Sequence, residues 1–133
     1  MKPYIGTKVV RAMPLTRQAY NNLREWNLPD DEDGTDEGYL VEYLDGGKPN
    51  HHAFEGYISW SPREQFEQAY IAVPEGVEPI ALYVTKPGIE LIIGALRKLP
   101  HEHVHDLVAD LWAQYQTQAG RWQHVAEETG LTD

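Results

Sequence analysis

Residues 39–45 read YLVEYLD, and the alternation in that run constrains the fold of this chain more than any other feature. Successive side chains of a strand point to opposite faces. Tyr39, Val41 and Tyr43 therefore share one face, and Leu40, Glu42 and Leu44 the other. YISW at 57–60 is a second strand-like run. The GGKPNHHAFEG between them is too long for a tight hairpin turn, so the expectation is an antiparallel pair closed by a long loop. YIGTKVVRA at 4–12, rich in β-branched and aromatic residues, reads as another strand ending near Met13-Pro14.

Helical signals surround these strands. In LTRQAYNNLREW, Thr16 is placed as an N-cap, and Ala19, Tyr20, Leu23 and Trp26 fall at helical spacing. In SPREQFEQAY, Ser61 and Glu64 have capping-box spacing with Pro62 at the first helical position, and Phe66, Ala69 and Tyr70 form the inward stripe. VPEGVEP at 73–79 has the character of a linker. Beyond it, IALYV reads as one more strand and KPGIELIIGALRK as a helix with Ile89, Ile92, Ile93 and Leu96 inward. Leu99-Pro100 breaks that helix. A last helix is expected from about His101 to Thr129, with Gly130 as its cap. The class is α+β: a small antiparallel sheet with short helices (1–72), then a strand and a C-terminal helical hairpin (75–133), packed or oligomerising.

A chain of 133 residues with net charge -10, acidic in both halves, has no basic footprint for direct nucleic-acid binding or for an anionic membrane. It has no cysteine, which excludes disulfides, thiolate metal sites and a cysteine nucleophile. No run approaches the ~20 apolar residues of a membrane span, and MKPYIGTKVV lacks a signal-peptide core. These features lead us to expect a soluble, cytoplasmic protein.

His101, Glu102 and His105 spell H-E-x-x-H, in which two histidines one turn apart ligate zinc and the glutamate polarises water. Three arguments favour architecture instead. His101 lies at the positive end of its helix. A continuous helix carries the downstream candidate Glu127 roughly 39 Å away. The histidines also flank an ordinary packing stripe of Val104, Leu107, Val108, Leu111, Tyr115, Trp122 and Val125. No metal or other cofactor is therefore assigned, and a zinc-dependent hydrolase through His101 and His105 stays as an alternative. His51-His52 are read as loop residues. The acidic stretch from Asp30 to Glu37 fits neither register of a calcium loop and reads as a solvated loop. Neither a phosphate loop nor a nucleophile elbow is present.

Two surfaces remain. Tyr39, Tyr43, Tyr57 and Trp60, on adjacent expected strands, offer an aromatic floor that could stack a base or anchor a partner, or could serve as core. Trp112, Tyr115 and Trp122 mark the last helix as a candidate interface of a homo-oligomer.

YIGTKVVRAMPLTRQAYN, LPDDEDGTDEGYLVEYLDGGKPN and GYISWSPREQFEQAY together resemble a module of tailed-phage and prophage accessory proteins, over about residues 1–72. That module is also found fused to domains resembling Thoeris anti-defence proteins, which sequester a nucleotide-derived immune signal. Residues 75–133 show no match to the sequestering domain. GIELIIGALRKLPHEHVHDLVADLW is instead similar to a helical hairpin of other phage proteins, in which the second helix needs no histidines. The family has no assigned catalytic residue. The resemblance implies a non-enzymatic accessory protein that binds a host protein or a small nucleotide, counteracting host defence. A further alternative is an acidic inhibitor occupying a basic nucleic-acid-binding site.

Overall fold

The computed structural model describes the backbone of residues 1–80, 82–100 and 102–129, and their side chains except at 103 and 124–129. The chain forms two compact units: Ile5–Pro79, and Ile80–Asp133 together with Met1–Tyr4. The fold is α+β, with a three-stranded antiparallel sheet and four helices among the described residues.

In the first unit, β1 (Val10–Pro14), β2 (Gly38–Tyr43) and β3 (Tyr57–Pro62) lie in the order β1-β2-β3. The register pairs Leu40 with Trp60 and Glu42 with Ile58, while Tyr39, Val41 and Tyr43 pair with Ser61, Ser59 and Tyr57. Paired residues share a face. The first face carries the core of Tyr20, Leu40 and Ile58, supported by Leu15, Leu23, Phe54 and Trp60. Tyr20 comes from α1 (Arg17–Leu23), so that helix covers this face. On the other face, Tyr39 stacks on Phe66 of α2 (Arg63–Ala69) at 4.1 Å, and Val41 is buried.

The acidic loop ties these layers together. An α-helix leaves its first N–H groups without internal partners. In α1, Arg17 N–H donates to the Asp36 carbonyl, Gln18 N–H to the Gly34 carbonyl and Ala19 N–H to the Thr16 hydroxyl. The Arg17 side chain adds ion pairs to Glu32 and Asp36, Asp33 accepts from Thr35, and Glu37 pairs with Arg63. A run expected to be a solvated loop is thus the clamp on the start of α1. Gly38, where the loop enters β2, allows close approach: a Cβ there would overlap the Trp60 ring and the Ser61 carbonyl.

Several sequence expectations change. Ser61 is still in β3 and makes no cap bond, and α2 begins only at Arg63, whose N–H is satisfied by the Glu37 carbonyl. The capping box is therefore not formed, because tertiary contact supplies the acceptor. Ala69 is exposed, leaving Phe66 and Tyr70 as the half-buried stripe. Helix α1 stops at Leu23, so Trp26 lies beyond it and is 52% exposed.

In the second unit, no strand forms at 80 or 82–84, and Ile80, Leu82, Tyr83 and Val84 are exposed. Thr85 caps α3 (Lys86–Leu96) through its hydroxyl, with Pro87 in the first turn. Ile93 is its buried residue, while Ile92 is exposed. After Leu99-Pro100, α4 runs unbroken over Glu102–Thr129, through Gly120. Gly130, the expected cap, lies outside the described residues. Helices α3 and α4 pack as a hairpin in which Tyr115 O–H donates to Glu90 at 2.8 Å and the Arg97 guanidinium lies over the Trp112 ring.

Candidate functional site

The first unit carries an open cleft of about 680 Å³ between α1, the segment after it and β3. Its walls include Arg17, Arg24, Trp26, Asn50, Tyr57 and Trp60. Two guanidinium–indole pairs dominate it. Arg17 lies over the Trp60 ring and Arg24 over the Trp26 ring, each 4.4 Å from the centroid. Cations are attracted to the negative face of an indole, and a planar guanidinium also stacks there.

Local backbone chemistry fixes the second pair. Helix α1 ends with Trp26 N–H donating to the Asn21 carbonyl and Glu25 N–H to the Asn22 carbonyl. These are the two bonds of a Schellman ending, which asks for a left-handed residue between helix and exit. Glycine usually fills that position; here Glu25 does, at φ 57°. The turn delivers Trp26 to Tyr20 in a T-shaped arrangement, with ring centroids 6.1 Å apart and planes at 82°.

The cleft cations differ. Arg17 is held between Glu32 at 3.1 Å and Asp36 at 3.3 Å. Among the described residues, Arg24 has no carboxylate at ion-pair distance. Its hydrogen bond runs to the Tyr20 hydroxyl at 3.4 Å. Burial pushes the Tyr20 phenol above its ordinary value, and the Arg24 charge opposes that shift. The indole N–H of Trp60 donates to the Leu15 carbonyl at 2.8 Å, which locks that ring.

The sequence-expected aromatic floor is divided between faces. Tyr39, Tyr43 and Tyr57 share one face by register, whereas Trp60 pairs with Leu40 on the other. The four cannot form a single platform, because the odd spacing from Tyr57 to Trp60 reverses the side of the sheet. Tyr39 is committed to Phe66 and to Glu67, and the Tyr43 hydroxyl accepts from Ser59. Tyr57, 47% exposed, still reaches the cleft. Arg17 and Arg24 were not singled out in the sequence. The RxxxxxxR spacing of this segment places both on one helical side, but nothing in the sequence indicates that each meets a tryptophan.

On α4, Trp112 and Tyr115 are engaged within the hairpin, leaving Trp122 exposed roughly 10 Å further along the helix. His101 of the zinc-like motif lies outside the described residues; Glu102 and His105 are exposed. His51 and His52 stack on each other at 4.5 Å in the loop before β3. Among the described residues no group of three His, Asp or Glu is positioned to hold a metal ion.

No protein-family model matches the chain, and neither the curated proteins nor the solved structures give a match.

Proposed function

We propose that this chain is a phage-encoded, non-enzymatic accessory protein that acts by binding, and that the cleft over β3 is its binding surface. Counteraction of host defence in the bacterial cytoplasm is the concrete form of this reading, with a host protein or a small nucleotide as target. The observation that carries it is the pair of arginine-on-tryptophan stacks facing one concave surface. Pockets that bind ligands combine aromatic walls with a few fixed polar groups, and aromatic and arginine side chains dominate binding energy. No helix of the described residues is long and apolar enough to cross a membrane.

The acidic-inhibitor reading is less well supported, because Glu32, Asp33, Asp36 and Glu37 already have partners inside the unit. Self-association through α4 belongs to the same proposal. At about 1.5 Å per residue, α4 is roughly 42 Å long and α3 roughly 16 Å, so the later part of α4, which carries the exposed Trp122, extends past its hairpin partner. Light scattering on the protein and on Trp122→Ser checks this, with concentration-dependent association expected for the first and reduced for the second.

The binding reading is tested in a bacterial host. The protein and an Arg24→Gln/Trp26→Ala double variant are purified from it, and the retained proteins and heat-released small molecules are compared. Material held by the first and absent from the second supports the reading. Identical retention by both sinks it. Phage plating on a defended host expressing either form then tests the counter-defence role.

A further inference from the structure

Arg24 occupies an unusual position in a chain of net charge -10: it is a cleft cation with no carboxylate beside it among the described residues. A guanidinium carries five N–H donors in a fixed plane. The acceptor given to Arg24 inside the chain is the Tyr20 hydroxyl, at a long 3.4 Å. The Trp26 ring lies against this guanidinium at 4.4 Å, which strips water from one side and strengthens any bond made by its remaining donors. Trp26 is also half in solvent yet held at two points, by the Arg24 cation and by the nearly perpendicular Tyr20 ring. A ring landing on it meets a surface already ordered, which removes part of the entropic cost of binding.

The backbone supports the same site. Glu25, between Arg24 and Trp26, sits in the left-handed region, where a side chain costs on the order of 1–2 kcal/mol. Such strain concentrates where a chain must present a side chain in one particular direction. Here it sets Trp26 beside Arg24.

We propose that the cleft takes a planar aromatic ligand bearing one negative charge, with the ring on Trp26 and the anion on Arg24. This rests on the reading of the cleft as a binding surface and deepens it by naming the ligand class. The single charge follows from local electrostatics. Arg17 is already neutralised by Glu32 and Asp36, and Glu32 itself lines the cleft. One free guanidinium balances one anionic charge, and each further charge meets Glu32 and the acidic field of the chain. Cyclic mononucleotides and aryl carboxylates share this chemistry; linear triphosphates do not.

The test is isothermal titration calorimetry of the purified full chain with cyclic AMP, 1-naphthoate, adenosine and ATP. Saturable binding of cyclic AMP or naphthoate is expected, with adenosine and ATP each at least about tenfold weaker. Binding of only one of the two monoanions identifies the source and supports the proposal. Arg24→Gln, which keeps a flat polar group over Trp26 without the charge, is expected to weaken binding by about tenfold or more. Trp26→Phe keeps a ring in place and is expected to weaken it less than Trp26→Ala. Thermal melting shows that each variant is folded, and where Trp26→Ala does not fold, the Phe variant and Arg24→Gln decide. Three results each overturn the proposal: neither monoanion binding at about 1 mM, ATP binding more tightly than both, or an unchanged affinity in Arg24→Gln. Host material retained in a Trp26-dependent way, with no monoanion binding, overturns this ligand class and leaves the binding reading standing.

Discussion

Asn50 pairs with Ile58 in the manner of a neighbouring strand: its side-chain nitrogen donates to the Ile58 carbonyl at 2.8 Å, and its oxygen accepts the Ile58 N–H at 2.7 Å. Strand β3 is at the edge of the sheet, where unpaired backbone groups invite pairing with another chain. A single amide blocks that edge and closes the loop from β2 in the same contact. Asn50→Ala is expected to cost about 2 kcal/mol in urea unfolding, for two hydrogen bonds lost at a partly buried site. Asn50→Asp should cost more, since a carboxylate cannot donate to the Ile58 carbonyl and would face it.

Glu42, the register partner of Ile58 on β2, does comparable work. The residue is only 6% exposed, and its carboxylate accepts the N–H of Glu55 at 2.9 Å and of Gly56 at 3.0 Å, with the Arg11 guanidinium 3.8 Å away. Glu42→Gln keeps one acceptor for both donors and should cost about 1 kcal/mol or less. Glu42→Leu leaves both donors without a partner, one of them buried, and should cost about 2–4 kcal/mol. Equal losses in the two variants, measured by denaturant unfolding, would show that the charge matters and the acceptor does not.

At Glu25 the expected change is a gain. Glycine adopts the left-handed conformation without a steric penalty but is more flexible when unfolded. Glu25→Gly should therefore stabilise the first unit by about 0.5–1 kcal/mol, and Glu25→Ala should give no such gain. Thermal unfolding of the three proteins checks both.

The regular part of this fold was legible because its signals are local. The alternation of YLVEYLD set the faces of β2, Thr16 announced the start of α1, and Leu99-Pro100 marked the turn of the hairpin. What sequence missed depends on long-range partners. Ser61 and Glu64 have capping spacing, yet the Glu37 carbonyl arrives first at Arg63. IALYV has strand-like residues but gains no pairing partner among the described residues. The cleft was hidden for the same reason. Its two arginines meet tryptophans through a helix ending and a sheet register, and Trp26 falls at helical spacing in the sequence although α1 stops at Leu23.

The Tyr20 phenol links core stability to pH. Its folded value is raised above the ordinary 10.0, first by burial, with Arg24 pulling the other way. A raised value means the neutral form is favoured on folding. The contribution is fully present below about pH 10 and is lost as pH rises through the folded value. Unfolding free energy should therefore fall above pH 10, and less steeply in Tyr20→Phe. Arg24→Gln removes the opposing charge and should move the Tyr20 titration higher still, as followed by phenolate absorbance.

The zinc-like letters at 101–105 give a last expectation. Zinc in such a motif needs a third protein ligand near the two histidines. Helix α4 is continuous from Glu102 to Thr129, which carries Glu127 roughly 37 Å along the axis from Glu102 at the usual rise. His105 and Glu102 are exposed on that helix. Protein purified without a histidine tag and equilibrated with micromolar zinc should carry no stoichiometric metal by elemental analysis, and His105→Ala should change nothing. One zinc per chain, lost in His105→Ala, would restore the hydrolase reading and move the search for function from the cleft to the hairpin.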